Sequence, residues 1–198
     1  MKNRWIWMVV VGMVWSFSAT AVASDGRLTI DSERSTLSWT SDAPQERIVG
    51  TAEEIEGAVS WDVNNLEATS GAIQFPVSSM KSGNRLRDRH LRGRDWLNAR
   101  ANPDIIYTIE RLEVVSRSQE GDRIDVEVKV FGKVTINGVE SSNEATANLA
   151  ILPGTNRVRI QTTLEVTLRD HEISGRRGSI GSEVGESIEI EATLYGSW

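Results

Sequence analysis

The sequence predicts an all-β fold: an antiparallel barrel of about eight strands with a short helical insert. Most of the 198-residue chain alternates apolar and polar residues in segments separated by turn signals, as strands with one buried face do. Two of these segments, 122–136 and 157–168, exceed the usual strand of about 5–6 residues and favour a strongly curved sheet. Closure into a barrel removes the exposed sheet edges, and a two-sheet sandwich is the alternative.

Residues 1–23 predict a secretory signal peptide. Lys2 and Arg4 precede an apolar run at 5–17, and Ala21-Val22-Ala23 matches the small-residue pattern of a cleavage site. A membrane anchor is the alternative, but the run has 13 residues, fewer than the ~20 that span a bilayer. We therefore expect cleavage after Ala23, a mature domain at 24–198 that is periplasmic or secreted, and no integral membrane span after cleavage.

Composition limits what the mature domain can bind. The signal holds two basic residues and no acidic one, so the remaining 175 residues carry 20 basic and 28 acidic side chains, a net charge of −8. That charge argues against nucleic acid and anionic membrane surfaces as partners. The chain has no Cys, so no disulfide forms and the core alone stabilises the exported fold.

The first half of the mature chain predicts an opening strand pair at 27–31 and 36–40 and two further strands. Asp42-Ala43-Pro44 ends the pair, because Pro cannot donate a hydrogen bond to a sheet. Alternation returns at 55–63, stops at the turn signal Asn64-Asn65, and resumes at 71–77.

The second half predicts the longest strands. Residues 124–136 alternate throughout, with Gly132 as the natural place for a kink, and Asn137-Gly138 is a strong hairpin signal. The other strand segments are 105–110, 145–151, 158–168 and 188–194. The Gly- and Ser-rich stretch Gly175–Gly185 predicts a loop. Together the segments give seven to nine strands.

One insert, Ser82–Tyr107, interrupts the strand pattern. Six arginines lie between Arg85 and Arg100. Arginine matches phosphate and carboxylate groups in bidentate geometry, so one interpretation is an anion site. The other is a solvated short helix with local ion pairs, since Asp88 lies at helical spacing from Arg85 and Arg92.

The inward-facing apolar residues of the strands are the candidate ligand site. The interior of a barrel of about eight strands is either filled by side chains or holds one small ligand, and the pattern alone favours filling, since every barrel needs an apolar interior. The candidates are Leu37, Trp39, Val59, Trp61, Ile73, Phe75, Ile105, Tyr107, Val126, Val128, Val130, Ile160, Leu164 and Val166.

No catalytic or metal-binding motif is present. Asp170-His171-Glu172 invites a metal, but a strand would send the two acids to the face opposite His171, and neither Cys nor a third His completes a zinc site. The sequence also lacks the common serine-hydrolase, P-loop and zinc-protease motifs. We expect no catalytic residue, no metal and a non-enzymatic role, with an enzyme working inside the barrel as a rival hypothesis.

Four sequence blocks resemble the YceI family, exported lipocalin-like proteins described as polyisoprenoid-binding. The most specific block joins Arg87-Asp88-Arg89-His90-Leu91 to Asp95-Trp96-Leu97 and Asn102-Pro103-Asp104-Ile105. The others are Leu28–Ser32 with Ser35–Leu37, Glu56–Asp62, and Gly132–Val139.

The resemblance implies an eight-stranded antiparallel lipocalin-like barrel, closed at one end, with a helical segment at Asn84–Asn98. It also implies an apolar tunnel for an isoprenoid tail, on a quinone or polyprenyl chain, or for a fatty-acid derivative. The insert would then be a lid that turns Leu91, Trp96 and Leu97 toward the tunnel. This family is often dimeric, so a homodimer is also expected.

The resemblance has departures, and a rival function stays open. Trp61 and Tyr107 stand where the family usually has Phe, and a Gly-Arg-Arg-Gly stretch follows the last long strand instead of an aromatic-rich segment. The leading hypothesis is a carrier that holds a bound polyisoprenoid or quinone-type lipid and no other cofactor. The alternative is a structural or stress-related interaction protein with a filled barrel and no ligand.

Overall fold

Ten antiparallel strands, one short α-helix and four single-turn 3-10 helices make up the fold in the computed structural model, which describes residues 26–198. The helix is α1 (Arg85–Leu91), between the fifth and sixth strands. The strands are β1 (Gly26–Ile30), β2 (Thr36–Asp42), β3 (Arg47–Ala52), β4 (Glu56–Trp61), β5 (Ser70–Pro76), β6 (Asp104–Glu120), β7 (Arg123–Ile136), β8 (Val139–Leu152), β9 (Arg157–Thr167) and β10 (Ser187–Ser197). The expected signal peptide at 1–23 lies outside the described residues.

Eight of the strands close into a barrel, which confirms the predicted fold class. The hydrogen-bonded order is β1-β4-β5-β6-β7-β8-β9-β10, and β1 pairs back onto β10. The closing contact is short, with Thr29 opposite Ser197 and Ile30 opposite Gly196. The rest of that edge of β10 is taken by β2, from Thr36 to Ser41. One strand therefore bonds two successive strands along a single edge.

The strand β3 was not predicted from the sequence. It pairs with β2 along its length and reaches Lys81 on its other side, where the backbones of Thr51 and Lys81 exchange hydrogen bonds of 2.8 and 2.9 Å. Its inward positions are Ile48, Gly50 and Ala52. Because two of these are small, the apolar alternation is too weak to read.

Gly50 is small because an aromatic ring occupies the space beside it. A Cβ atom there would lie 2.2 Å from Cζ2 of Trp39 and 2.6 Å from the carbonyl oxygen of Lys81. The indole Nε1 of Trp39 donates to the carbonyl of Thr51 at 3.3 Å. Trp39 is thus fitted against β3, and its ring lies inside the barrel wall.

The long strands and their hairpin agree with the sequence prediction. β7 and β8 pair from Ile124 to Ile136 and turn through Asn137 and Gly138, with φ of 53° and 76°. These positive values fit the tight hairpin turn that an Asn-Gly pair favours. At Gly132 a Cβ atom would lie 2.1 Å from the carbonyl oxygen of Thr108, and β6 shifts register beside this point. Glycine is needed there for close approach of the two backbones.

Several element bounds differ from the sequence predictions. The helical segment expected at Asn84–Asn98 is a helix only over Arg85–Leu91, followed by turns to residue 101. Helix geometry ends there because Gly93 and the tight turns after it take the backbone hydrogen bonds, as from Asn98 N–H to the Gly93 carbonyl at 2.9 Å. β6 and β8 are both longer than expected. The additional residues of each strand pair with β7, and most of their side chains are polar and meet water.

None of the helices among residues 26–198 is long and apolar enough to cross a lipid bilayer.

We predict that Gly50→Ala destabilises the fold by about 1–3 kcal/mol, because the added methyl group must displace the ring of Trp39 or the Lys81 backbone. Urea unfolding followed by tryptophan fluorescence measures this. The control is Gly154→Ala, where nothing lies within 4 Å of the added Cβ atom and a change below about 0.5 kcal/mol is expected. Equal unfolding midpoints for the two variants would contradict the packing described for β3.

Candidate ligand-binding cavity

Two cavities follow one another along the barrel interior. The outer chamber, of about 670 Å³, lies under α1 and the loop after β9. The inner chamber, of about 120 Å³, lies among the central strands. Both are lined by Leu37, Phe75, Ile105 and Ile190. These four buried residues, the partition, separate the chambers.

The inner chamber is almost entirely apolar because strand alternation sends one row of residues inward from each strand. Val128 and Val130 of β7 line it side by side with their register partners on β8, Ala147 and Ala145. The two alanines leave open space that larger residues would fill. The chamber therefore has the wall chemistry of a core but lacks the side-chain volume to be filled.

Tyr107 places a hydroxyl in this apolar wall and satisfies it locally. The hydroxyl donates to the carbonyl of Val130 at 3.3 Å. Burial raises the pKa of Tyr107 to about 12, with smaller contributions from Glu110 and Glu144. The side chain is neutral at physiological pH and presents the rest of its ring to the chamber.

The insert forms one side of the outer chamber. Leu86, Leu91, Trp96 and Leu97 line the chamber from α1 and the turns after it. The side chain of Asn84 caps the helix by accepting from the backbone N–H groups of Leu86 at 3.0 Å and Arg87 at 3.2 Å. The cap and the apolar residues together give a stable cover over this end of the barrel.

Asp88 fastens α1 to the chain before it. Its Oδ1 accepts from the backbone N–H of Ser82 at 2.8 Å and from the Ser82 hydroxyl at 2.6 Å. Burial opposes ionisation of this carboxyl, but the bonds from Ser82 and the charges of Arg92 and Arg87 outweigh it and hold its pKa below the ordinary value. The Arg92 guanidinium donates to the Met80 carbonyl at 3.2 Å.

Two ion pairs tie the cover to its surroundings. Arg87 of α1 lies 2.6 Å from Glu46 in the β2–β3 connection. Arg176 of the loop after β9 lies 3.5 Å from Asp95 of the insert. Both pairs are substantially exposed, so each contributes modestly to stability. Neither is the helical pair predicted between Asp88 and Arg85 or Arg92. Each joins segments distant in the chain, and the Asp88 carboxylate accepts from Ser82 instead.

The loop after β9, residues 168–186, forms the other side of the outer chamber and is anchored from below. His171 is buried, and its Nδ1 lies 2.9 Å from the carbonyl of Val139. The amide of Asn137 donates to the His171 carbonyl at 3.2 Å. At the far end, the N–H of Gly185 donates to the buried Ser41 hydroxyl at 2.9 Å. His171 is thus a structural contact to the β7–β8 turn. Among residues 26–198, no three His, Cys, Asp or Glu side chains converge as a metal site would require.

The structure brings all of the fourteen strand candidates except Val126 to the two chambers, together with Leu91, Trp96 and Leu97 of the insert. Those on the outer chamber alone are Trp39, Leu91, Trp96 and Leu97. Those on the inner chamber alone are Val59, Trp61, Ile73, Tyr107, Val128, Val130 and Leu164. Leu37, Phe75 and Ile105 belong to the partition. Their role in binding remains a prediction.

Three strand candidates remain, Ile160, Val166 and Val126, and one of them lines neither chamber. Ile160 lines the inner chamber and Val166 the outer one. Val126 does not line either chamber. It lies in the apolar cluster below, with Trp61 and Ile151, because the long β7 extends past the inner chamber.

Sequence reasoning missed several residues that line the outer chamber. Ile188 and Ile190 share the inward alternation of β10 and could have been added from that signal. Ile48 belongs to the unrecognised β3. Ile173 and Val184 lie in a loop without periodicity, so no sequence pattern indicated which of its residues turn inward.

The family assignment follows from comparison with known proteins. A YceI-like domain model matches residues 28–195. The chain belongs to the YceI family. It is 23% identical to Protein YceI of Escherichia coli O157:H7 over 196 residues, covering 96% of this chain and 97% of that protein. The resemblance stated from the sequence blocks is confirmed.

Solved structures of YceI-like barrels share the fold. Burkholderia cenocepacia BcnA superposes with a TM-score of 0.69 at 17% identity, covering 84% of this chain and 98% of BcnA. A polyisoprenoid binding domain from Saccharophagus degradans superposes with a TM-score of 0.68 at 14% identity, covering 86% and 97%. At these identities the likeness establishes the barrel architecture and its topology.

We predict that Asp88→Asn loosens the cover and lowers stability at pH 7 by about 0.5–1.5 kcal/mol, the range for a hydrogen bond lost or weakened. The pKa of Asp88 is lower in the folded chain than its ordinary value of 3.8, so its ionised form stabilises the fold above that pH. This contribution is lost as the pH falls through the folded pKa. The difference between the variant and the parent chain should therefore shrink below pH 3.8.

Urea unfolding at pH 7 and at successively lower pH measures this difference. Asp122→Asn removes the same charge at the exposed β6–β7 turn and serves as the control. A gap between Asp88→Asn and the parent chain that stays constant with pH would show that Asp88 does not act through its charge.

Proposed function

We propose that this chain is an exported, non-enzymatic carrier that holds an isoprenoid or other long-chain lipid with its tail in the barrel. The observation that supports the proposal is the pair of chambers in line, with an apolar partition between them. The outer chamber, at about 670 Å³, falls within the range of small-molecule sites, about 300–1,000 Å³.

Binding of this kind needs burial and no chemistry. Each CH₂ group moved from water to an apolar wall contributes about 0.8 kcal/mol. A tail that enters the outer chamber and passes the partition would use both cavities. The partition consists of Leu37, Phe75, Ile105 and Ile190, whose side chains can change rotamer without breaking any hydrogen bond of their own.

One structural neighbour is named for this ligand class. The Saccharophagus degradans barrel is described as a polyisoprenoid binding domain. Its sequence is 14% identical to this chain, so the ligand is proposed here on the chamber geometry, and the neighbour's description supports it.

The direct test is solvent extraction of the purified protein followed by mass spectrometry. Recovery of an isoprenoid or long-chain lipid in near-stoichiometric amount supports the proposal. A protein that carries no apolar molecule and binds no added long-chain quinone would favour the rival function, a filled barrel that acts as a structural or interaction protein.

We predict that Ala147→Leu weakens binding of a quinone with a long isoprenoid tail by about tenfold, because the leucine fills part of the inner chamber and displaces about two buried carbons. A quinone with one isoprene unit should fit the outer chamber and bind as before. Quenching of tryptophan fluorescence measures both, since Trp39 and Trp96 line the outer chamber.

The matched control is Ala150→Leu, three positions along the same strand, where the side chain is partly exposed and does not line the inner chamber. It should leave both affinities unchanged. Equal loss for long and short tails in Ala147→Leu, or the same loss in Ala150→Leu, would show that the inner chamber does not receive the tail.

A further inference from the structure

The inner chamber ends against a tryptophan. Trp61, the last residue of β4, lines the chamber and is only 3% exposed. Its ring packs against that of Trp198, with 5.7 Å between the ring centroids, and Trp198 does not line the chamber. Trp61 therefore lies at the boundary between open space and the filled part of the barrel.

Two leucines lie at the same boundary. Leu112 of β6 and Leu149 of β8 line the inner chamber and also belong to the apolar cluster below it. Deeper members of that cluster, such as Ile151 and Val158, are buried and line neither chamber. We call Trp61, Leu112 and Leu149 the floor. Trp61 is the largest of the side chains that line the inner chamber.

The indole of Trp61 has no hydrogen bond to offset its burial. Its Nε1 is enclosed by protein and has no partner among residues 26–198, whereas Nε1 of Trp39 donates to the Thr51 carbonyl at 3.3 Å. A buried donor without a partner lowers stability, and a phenylalanine or a leucine would avoid that cost. What Trp61 contributes is therefore volume, and it presents the carbon surface of its ring to the chamber. Departures of this kind from ordinary core packing are typical of functional sites.

We propose that Trp61 limits the length of the tail that the barrel accepts. This inference rests on the proposed function and specifies its ligand. A tail that passes the partition fills the inner chamber and ends against the floor. Once both chambers are full, each further carbon stays in water and gains nothing from burial.

Substitutions distinguish such a limit from a residue that only fills the core. Trp61→Phe replaces a two-ring side chain by a one-ring side chain, and Trp61→Leu removes the rings altogether. Both changes add space to the inner chamber, and its apolar walls let a carbon chain occupy that space. Val126→Ala also removes core volume, but Val126 lies in the cluster below and lines neither chamber.

The test measures which tail lengths the protein takes up. Delipidated protein is equilibrated with phosphatidylcholine vesicles that hold equal amounts of the straight-chain alcohols from dodecanol to tetracosanol. The vesicles are removed by centrifugation, and the bound alcohols are extracted and quantified by mass spectrometry. Because the vesicles already keep every tail out of water, only carbons that the barrel cannot enclose disfavour transfer to the protein.

Uptake by the parent chain should fall beyond one tail length, by roughly fourfold for each further carbon. Trp61→Phe should move this fall to tails that are longer by about two carbons, and Trp61→Leu should move it by about twice as much, as expected for close packing of the freed volume. Val126→Ala should leave the fall at the tail length of the parent chain.

The outcomes separate this inference from the function on which it rests. A fall at the same tail length in the parent chain and both Trp61 variants would overturn the length limit, as would an equal shift in Val126→Ala. Uptake that does not fall up to tetracosanol would also overturn it, and each of these results leaves the lipid carrier intact. Uptake of none of the alcohols by the parent chain would instead count against the carrier. Circular dichroism checks that each variant is folded, and Trp61→Phe, the smaller change, decides the outcome if Trp61→Leu does not fold.

Discussion

The shared edge of β10 is the constraint on which the architecture depends. Along one edge β10 bonds β2 and then β1. Each of these strands continues the wall differently: β1 leads to β4, while β2 leads to β3 and then to the backbone at Lys81. The barrel wall therefore gains an extra hairpin at one end. That end holds the larger chamber, lined by β2 and β3, whereas β1 and β4 line the smaller one.

This division also separates two kinds of packing. Below the inner chamber the barrel is filled by its own side chains, with Trp61 against Trp198 at 5.7 Å between ring centroids. Around the inner chamber itself, small residues such as Ala145 and Ala147 replace the bulk that would fill the centre. The same alternating pattern thus produces a solid core at one end and a cavity further up, and side-chain size decides which of the two forms.

The strands could be predicted from sequence and the cover only in part. Alternation identified the long strands, and Asn137-Gly138 fixed their hairpin, because both signals are local. The strand β3 escaped because Gly50 fits against Trp39, a contact made between different strands. Whether Val128 lines a cavity or a filled core depends on the small residues opposite it on β8, so alternation alone could not decide. Loop residues such as Ile173 and Ser179 are placed by contacts of the loop with residues distant in the chain, from His171 to Val139 and from Gly185 to Ser41.

The chemistry of the rim can vary without any change to the barrel. Strand positions that line the chambers must remain apolar and of suitable size, because they also maintain closure and the core. The loop between β9 and β10 is under a weaker constraint: its ends are held by His171 and Ser41, while Arg177 and Glu183 between them are exposed. Charges there can therefore change at little cost in stability. Under the proposed carrier function, the barrel would enclose the tail and this loop would border the entrance, so ligand preference within a shared fold should follow the residues of the loop.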